Sequence, residues 1–404
     1  MISQEEVLKQ AEQVRKSVIC HRRQIHQYAE IGGKEYKTHQ YITQFIEKLG
    51  LPYENVTETA ILATLDTGKK GPHIALRADI DALPLHENPD NLRGPRCCIS
   101  EQENTCHACG HDAHAAMLMG CMEVFCNIRE YLKGTIYFCF EAGEENGASC
   151  HQMLAALEKR PVDTVWAIHV YAALESGKIG IRTGACMAGF GGIDITVHGK
   201  SGHGSRPDQA INPVYVAAEI VTSIPGVFVN QLDVEKTVTF GVTSIQGGQA
   251  FNVFPENAHI WGSMRFFDLE EGKKALQIVR KVANHIAEIY GCQVEFSKMM
   301  NEAGIPVVND SKLAELAKSS IRELYPKDDA VPDKFPLFYA SESFSNYCYR
   351  YPGIMALLGI KNPEYGSGAE HHNEKFDVDE QVLDMGVKST VKYVITLMDN
   401  GLPA

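Results

Sequence analysis

Cys109 and His111 stand two apart in the stretch Cys-His-Ala-Cys-Gly-His-Asp at 106–112. A thiolate and an imidazole at that spacing point the same way from an extended loop and can reach one cation. Asp112 follows as a good N-cap, and Met117, Leu118 and Cys121 continue with helical spacing, so the pair is expected where a loop enters a helix. Cys106 and Cys109 also form a C-x-x-C, the pattern of a redox pair or of half a zinc knuckle. With no second C-x-x-C and no following His-x(3–5)-His, a structural zinc site is the poorer reading. Glu144 and Glu145 are neighbours, and of two such carboxylates one can bind a cation while the other takes a proton from water. The plain alternative is a solvated acidic loop. His371 and His372 are adjacent, so their rings must point in different directions.

Three short apolar runs carry acid or imidazole at their ends. HIALRADI at 73–80 leads through Arg77 and Asp79 to Asp81, TIYFCF at 135–140 runs into Glu141, Glu144 and Glu145, and TVWAIHV at 164–170 ends on His169. Helical stretches at 112–130 and 149–159 alternate with these runs, which predicts a mostly parallel sheet covered on both faces. Ligands in such sheets bind outside the carboxyl ends of the strands, so the three ends point to one site. Upstream, 4–20 and 36–49 read as amphipathic helices. After Gly184 the pattern changes: strand at 192–198, helix at 212–224, a strand pair at 236–246 and 256–267, helix at 269–290 and strand at 291–299. The order βαββαβ is that of a ferredoxin-like sandwich. From about residue 300 the alternation resumes, with YPGIMALLGI at 351–360 completing the first sheet. The expected organisation is a catalytic domain formed by 1–186 and 301–404, with 187–300 inserted in it.

The chain has 404 residues, 44% hydrophobic and 22% charged, with a formal charge of −13. The acidic balance and the lack of basic clusters argue against nucleic acid or an anionic membrane surface as partner. No run approaches the roughly 20 apolar residues of a membrane span, and the first twenty residues lack an apolar signal core. Twelve scattered cysteines, Cys97 and Cys98 adjacent, fit a reducing compartment, so a cytoplasmic protein is expected.

The strings ALRADIDALP at 75–84, HACGHDAHAAML at 107–118, Glu144-Glu145, AIH at 167–169, GKSGHGSRP at 199–207, FNVFPENAHIWGSMRF at 251–266 and HHNEKFDVDE at 371–380 carry a resemblance. From about residue 20 to 380 the chain is similar to the amidohydrolase branch of the aminoacylase and carboxypeptidase-G2-like metallopeptidases. That branch includes hippurate hydrolases, auxin-conjugate hydrolases and N-acetyl-amino-acid deacetylases. The resemblance implies a zinc-exopeptidase-like α/β domain, an inserted lid that often dimerises, and two divalent ions per subunit, Zn, Mn, Co or Ni. It assigns Cys109, His111, Glu145, His169 and His372 as ligands and Glu144 as general base. His203 looks like the lid histidine that steadies an oxyanion, sometimes from the partner subunit. Asp79 resembles the acid that orients a ligand, with Asp81 close enough to compete. Asn252 and Arg265 resemble the grip on the amino acid's carboxylate, although a solvent-facing strand Arg is the competing reading.

Five departures from the family's pattern touch the pocket walls. They are Ala29-Glu30 for Pro-Glu, the extra thiol Cys106 in Cys106-His-Ala-Cys109, Ser341-Glu342-Ser343-Phe344 for Ser-Glu-Asp-Phe, His372-Asn373-Glu374 for His-Ser-Pro, and Gly191 for an Asp at the lid entrance. The expected activity is metal-dependent hydrolysis of N-acyl amino acids to a carboxylic acid and an amino acid, by a homodimer or higher homo-oligomer. Alternatives are a dipeptidase or carboxypeptidase of the same fold, a Cys109-nucleophile amidase, or a silent metal-binding protein.

Overall fold

The apolar runs read from the sequence become the middle of a seven-stranded sheet in a computed structural model, which describes residues 4–326 and 329–403. Its order is Tyr53–Asn55, Ile61–Asp66, Thr135–Glu141, His73–Asp79, Thr164–Glu175, Gly353–Lys361, Ile179–Gly180. The four strands from Thr135–Glu141 to Gly353–Lys361 are parallel to one another, and the outer ones pair antiparallel. Every residue of Thr135–Glu141 is buried, as a strand covered on both faces requires, and the uninterrupted apolar run is the sequence form of that demand.

Thr164–Glu175 runs past the end at residue 170 expected from the sequence. It pairs with His73–Asp79 only from Thr164 to Ala167, then continues along Gly353–Lys361. His169 therefore sits mid-strand, just where the strand has left one neighbour. The expected helix at 4–20 is two helices, Gln4–Gln13 and Arg15–Tyr28. Helix His111–Asn127 is buried along almost all of its length and packs on Arg15–Tyr28. A Cβ on its Gly120 would meet Val18 Cγ2 at 2.5 Å, so only glycine lets the helices approach this closely.

The chain divides into two compact units, one of Met1–Cys186, Val308–Leu337 and Ser343–Ala404, the other of Met187–Val307 and Phe338–Glu342. The second unit thus reaches beyond the boundary at 300 read from the sequence and takes a short return segment as well. It holds an antiparallel sheet in the order Val238–Gly247, Asn257–Phe266, Gly189–His198, Gln293–Phe296, the ferredoxin-like arrangement. Helices Pro213–Gln231 and Leu269–Tyr290 cover one face, burying Ile193, Ile195, Val197, Ile260 and Met264. Pro213–Gln231 is by length and composition long and apolar enough to cross a membrane, but Val216, Ala217, Ile220, Ile224 and Phe228 on it are core packed on this sheet. Val238–Gly247 stands at the sheet's edge and contains no charged residue.

Candidate metal centre

Gly110 separates the two residues on which the motif turns. Its φ is 93°, and a Cβ there would meet Val170 Cγ2 at 2.3 Å, so the position accepts only glycine. The expected extended loop is thereby replaced by a left-handed turn that leaves Cys109 at the loop's end and makes His111 the first residue of the helix. Asp112 is not the N-cap. Its Oδ2 lies 2.8 Å from Arg22 Nε and 2.8 Å from His26 Nδ1, all three side chains being buried.

Hydrogen-bond partners fix the imidazole tautomers, because a carbonyl or carboxylate only accepts and a backbone N–H only donates. His111 Nδ1 donates to Asp81 Oδ1 at 3.0 Å, which makes Nε2 the nitrogen left to face a cation. His169 Nδ1 donates to the carbonyl of Val170 at 2.6 Å, so its Nε2, 3.8 Å from Cys109 Sγ, carries the lone pair. His114 is committed at both nitrogens: Nε2 accepts from Val170 N at 2.9 Å, and Nδ1 donates to Asp79 Oδ1 at 2.6 Å. His371 Nε2 accepts from Ala172 N at 3.2 Å, and its Nδ1 stands 3.8 Å from Cys109 Sγ. Of the adjacent pair, His372 is the ring turned to the acidic side, with Nε2 3.1 Å from Glu145 Oε1. It reaches that place through a left-handed backbone, φ 61°, and its N–H donates to Ala108 O at 2.8 Å.

The result is two ligand triads joined at one sulfur. Cys109, His111 and His169 offer donor atoms within 4.8 Å of one another, and so do Cys109, Glu145 and His372. His111 Nε2 is buried with no hydrogen-bond partner, an expensive state for a polar atom unless something else satisfies it, while Glu145 Oε1 faces His372 Nε2 at 3.1 Å. A thiolate, three imidazole nitrogens and a carboxylate, converging with lone pairs exposed to one another, fit divalent cations.

The electrostatics agree for His169 and His371, whereas at His111 burial is outweighed by Asp79, Cys109 and Asp81, which hold the ring well above the usual imidazole range, so a cation would displace a proton there. Burial, with His114 and His371 beside it, holds His169 well below the usual imidazole range, and burial with His114 and His372 pushes His371 down to about 3. Both rings are therefore neutral donors near pH 7. Burial pushes the Cys109 thiol up, against the pull of His111, so a nearby positive charge is what would make it a thiolate. Burial also raises Asp79, but His111, His114 and Arg77 outweigh it and keep the carboxylate ionised.

Of the two acids weighed from the sequence, Asp81 is the one that meets His111 Nδ1. Its Oδ2 also accepts from Glu145 N at 3.1 Å, so one carboxylate sets a ligand from each triad. Asp79 lies 3.8 Å from His111 Nε2 and binds His114 and Arg77 instead. His114 itself was passed over, though it stands three residues after His111 on the same helix face. Glu144 lies in the short turn Glu144–Asn146, its Oε1 accepting from Ser343 N at 2.8 Å. Glu35, fully buried, holds Gly143 N at 2.8 Å and so steadies the start of that turn.

His203, Asn252 and Arg265 belong to the second unit. His203 and Asn252 come together there on a two-stranded ribbon, where Gly204 N donates to Asn252 O at 2.7 Å. His203 is exposed, and its Nδ1 accepts from Ser205 N at 3.2 Å, which leaves the proton on Nε2. Arg265 is not a solvent-facing strand residue: its guanidinium lies over the Phe190 ring at 4.8 Å, with Nη1 buried and without a hydrogen-bond partner. Burial lowers its pKa.

Residues 75–396 match peptidase family M20/M25/M40, and the chain belongs to that family. Thermostable carboxypeptidase 1 of Saccharolobus solfataricus is 32% identical over 91% of this chain and 92% of its own length. The N-acyl-L-amino acid amidohydrolase of Geobacillus stearothermophilus is 33% identical, over 73% of this chain and 79% of its own length. Among solved structures, the Bacillus subtilis YXEP protein, a dinuclear metal binding peptidase, superposes with a TM-score of 0.80 at 26% identity, covering 96% of this chain and 99% of that one.

Proposed function

We propose that this chain is a metal-dependent amidohydrolase that cleaves N-acyl amino acids to a carboxylic acid and an amino acid. The observation that carries the reading is the pair of ligand triads sharing Cys109 beside Glu144, a second carboxylate that clusters with His111 and Glu145 but belongs to neither triad. Cys109, His111, Glu145, His169 and His372 are the residues that would hold two divalent cations, Zn, Mn, Co or Ni. Bound there, such cations supply Lewis acidity to a water molecule and to the amide carbonyl. Glu144 takes a proton from the attacking water and returns it to the leaving amine. Nε2–H of His203 is a donor for the oxyanion, and Arg265, its Nη1 lacking a partner, suits the carboxylate of the amino acid, with Asn252 as a neutral companion. The amidohydrolase at 33% identity supports the substrate class, and the dinuclear neighbour supports two ions.

Carboxypeptidase action is the second reading, favoured by the Saccharolobus relative. Homodimerisation and a cytoplasmic setting, where all twelve cysteines stay thiols as they are here, complete the proposal. The test is release of amino acid from N-acetyl, N-benzoyl and longer acyl amino acids, with peptides alongside, after loading with Zn, Mn or Co. Glu144→Gln is expected to lower kcat by about 10²- to 10⁴-fold with two ions per subunit retained. Undiminished turnover in that variant would remove Glu144 as base.

A further inference from the structure

Ser343 stands where the family's pattern has an acid, and it makes three contacts that meet at the proposed base. Its backbone N–H donates to Glu144 Oε1 at 2.8 Å. Its hydroxyl accepts from Arg77 Nη2 at 2.8 Å and, a guanidinium having nothing but donors, gives its one proton to Glu141 Oε1 at 2.5 Å. Glu141 is fully buried at the end of its strand, and its other oxygen takes Arg77 Nε at 3.1 Å and the Tyr347 hydroxyl. The same guanidinium reaches Asp79 Oδ2 at 2.7 Å, and Asp79 holds His114. One arginine thus connects the strand floor beneath the ligands to the segment that touches Glu144.

We infer that Ser343 is a positioning residue: its hydroxyl, locked between Glu141 and Arg77, fixes the backbone N–H that aims the Glu144 carboxylate. This inference rests on the proposed role of Glu144 as base. An amide N–H can hold a carboxylate in place only if the amide is itself held, and the side chain of the same residue does that here. Glu141 and Ser343 are then a matched acceptor and donor. An acid at 343 would set two carboxylates against each other at the distance of a single hydrogen bond, whereas moving the acid to 343 and the donor to 141 would restore one of each. The base is thereby aimed without a further charge beside it.

Kinetics of Ser343→Ala, Ser343→Thr, Ser343→Asp and the double variant Glu141→Gln/Ser343→Asp, on an acyl amino acid that the parent enzyme hydrolyses, test this. Misplacing a reacting group by about an ångström costs up to about 100-fold, so Ser343→Ala should lower kcat by about 10- to 100-fold with KM and metal content unchanged. Ser343→Thr keeps the hydroxyl and should recover most of the loss. The double variant should exceed Ser343→Asp alone by at least about 10-fold, the non-additivity expected of contacting groups. Amide hydrogen exchange at residue 343 in the metal-free protein reads the anchoring without turnover, and should quicken in Ser343→Ala. An unchanged kcat in Ser343→Ala, a loss matched by lost metal or lost fold, or exchange no faster than the parent's overturns the inference. A parent protein inert on the whole panel, with exchange quickened as expected, overturns the proposed function and leaves the anchoring in place.

Discussion

At the scale of single residues, the chemistry of the centre is set by where each imidazole spends its proton. Asp81 and the Val170 carbonyl hold protons on Nδ1 of His111 and His169 and thereby aim Nε2 of both inward. Cys109, His111, the Glu144-Glu145 pair and His169 stand out in the sequence by type and place, whereas the choice of His372 over His371 comes from the family resemblance alone. Their supports were not legible there: nothing in the spacing of Asp79 and Asp81 says which of them meets His111, since that depends on how far the chain turns after the strand. Ser343 was seen only as a departure from a pattern, and its contacts to residues some 200 positions earlier are invisible to local reading. A titration elsewhere is predictable residue by residue. Burial, with Lys48 nearby, holds His21 down to about 4, against an ordinary 6.5. As pH falls below 6.5 the unfolded chain takes up this proton before the folded one does, so the group costs stability progressively between 6.5 and about 4, up to about 3 kcal/mol. Urea unfolding of metal-free protein at several pH values should show a shallower acid-side fall for His21→Gln than for the parent. Parallel curves would mean that His21 does not titrate in this way.

At the scale of elements, what brings His372 to the centre is a clamp on its segment. Arg96, its side chain buried, donates to the carbonyls of Asn88 at 2.7 Å, Phe376 at 2.7 Å and Glu374 at 2.9 Å, holding the stretch after His372 against the 88–96 loop. Arg96→Lys keeps the charge and loses the fork. It is expected to weaken metal binding by about 10-fold or more with the fold retained, as outer supports of metal ligands do, and competition with a chelator reads this directly. An unchanged affinity would show that the segment holds itself. The strands at 73–80 and 135–140 were legible to within a residue because both faces are buried and the apolar run is uninterrupted. The end of Thr164–Glu175 was not, because its last residues are kept extended by Gly353–Lys361, almost 190 positions later.

For the whole molecule, the two-unit organisation could be read from the change of pattern at about 187, since a βαββαβ order differs from alternating strand and helix. The return of 338–342 to the second unit left no mark in composition. The edge strand Val238–Gly247 bears no charge, and Val229 on the neighbouring helix is 78% exposed. Uncharged edges of this length invite pairing with another chain. Ile245→Lys combined with Val229→Glu is therefore expected to turn the proposed dimer into a monomer in sedimentation, and an unaltered mass would place the interface elsewhere.

The strand Gly353–Lys361 has a consequence for the chain as it is made. On the ribosome, Thr164–Glu175 emerges long before its partner, and the whole inserted unit must be synthesised in between. At about 5–20 residues per second that wait lasts on the order of ten seconds or more. Throughout it an apolar strand edge stands open and the Cys109 thiol lacks the segment that brings His372. The nascent catalytic unit is thus at its most vulnerable to misassociation while its neighbour is being built, and it gains His372 only after the inserted unit has been made.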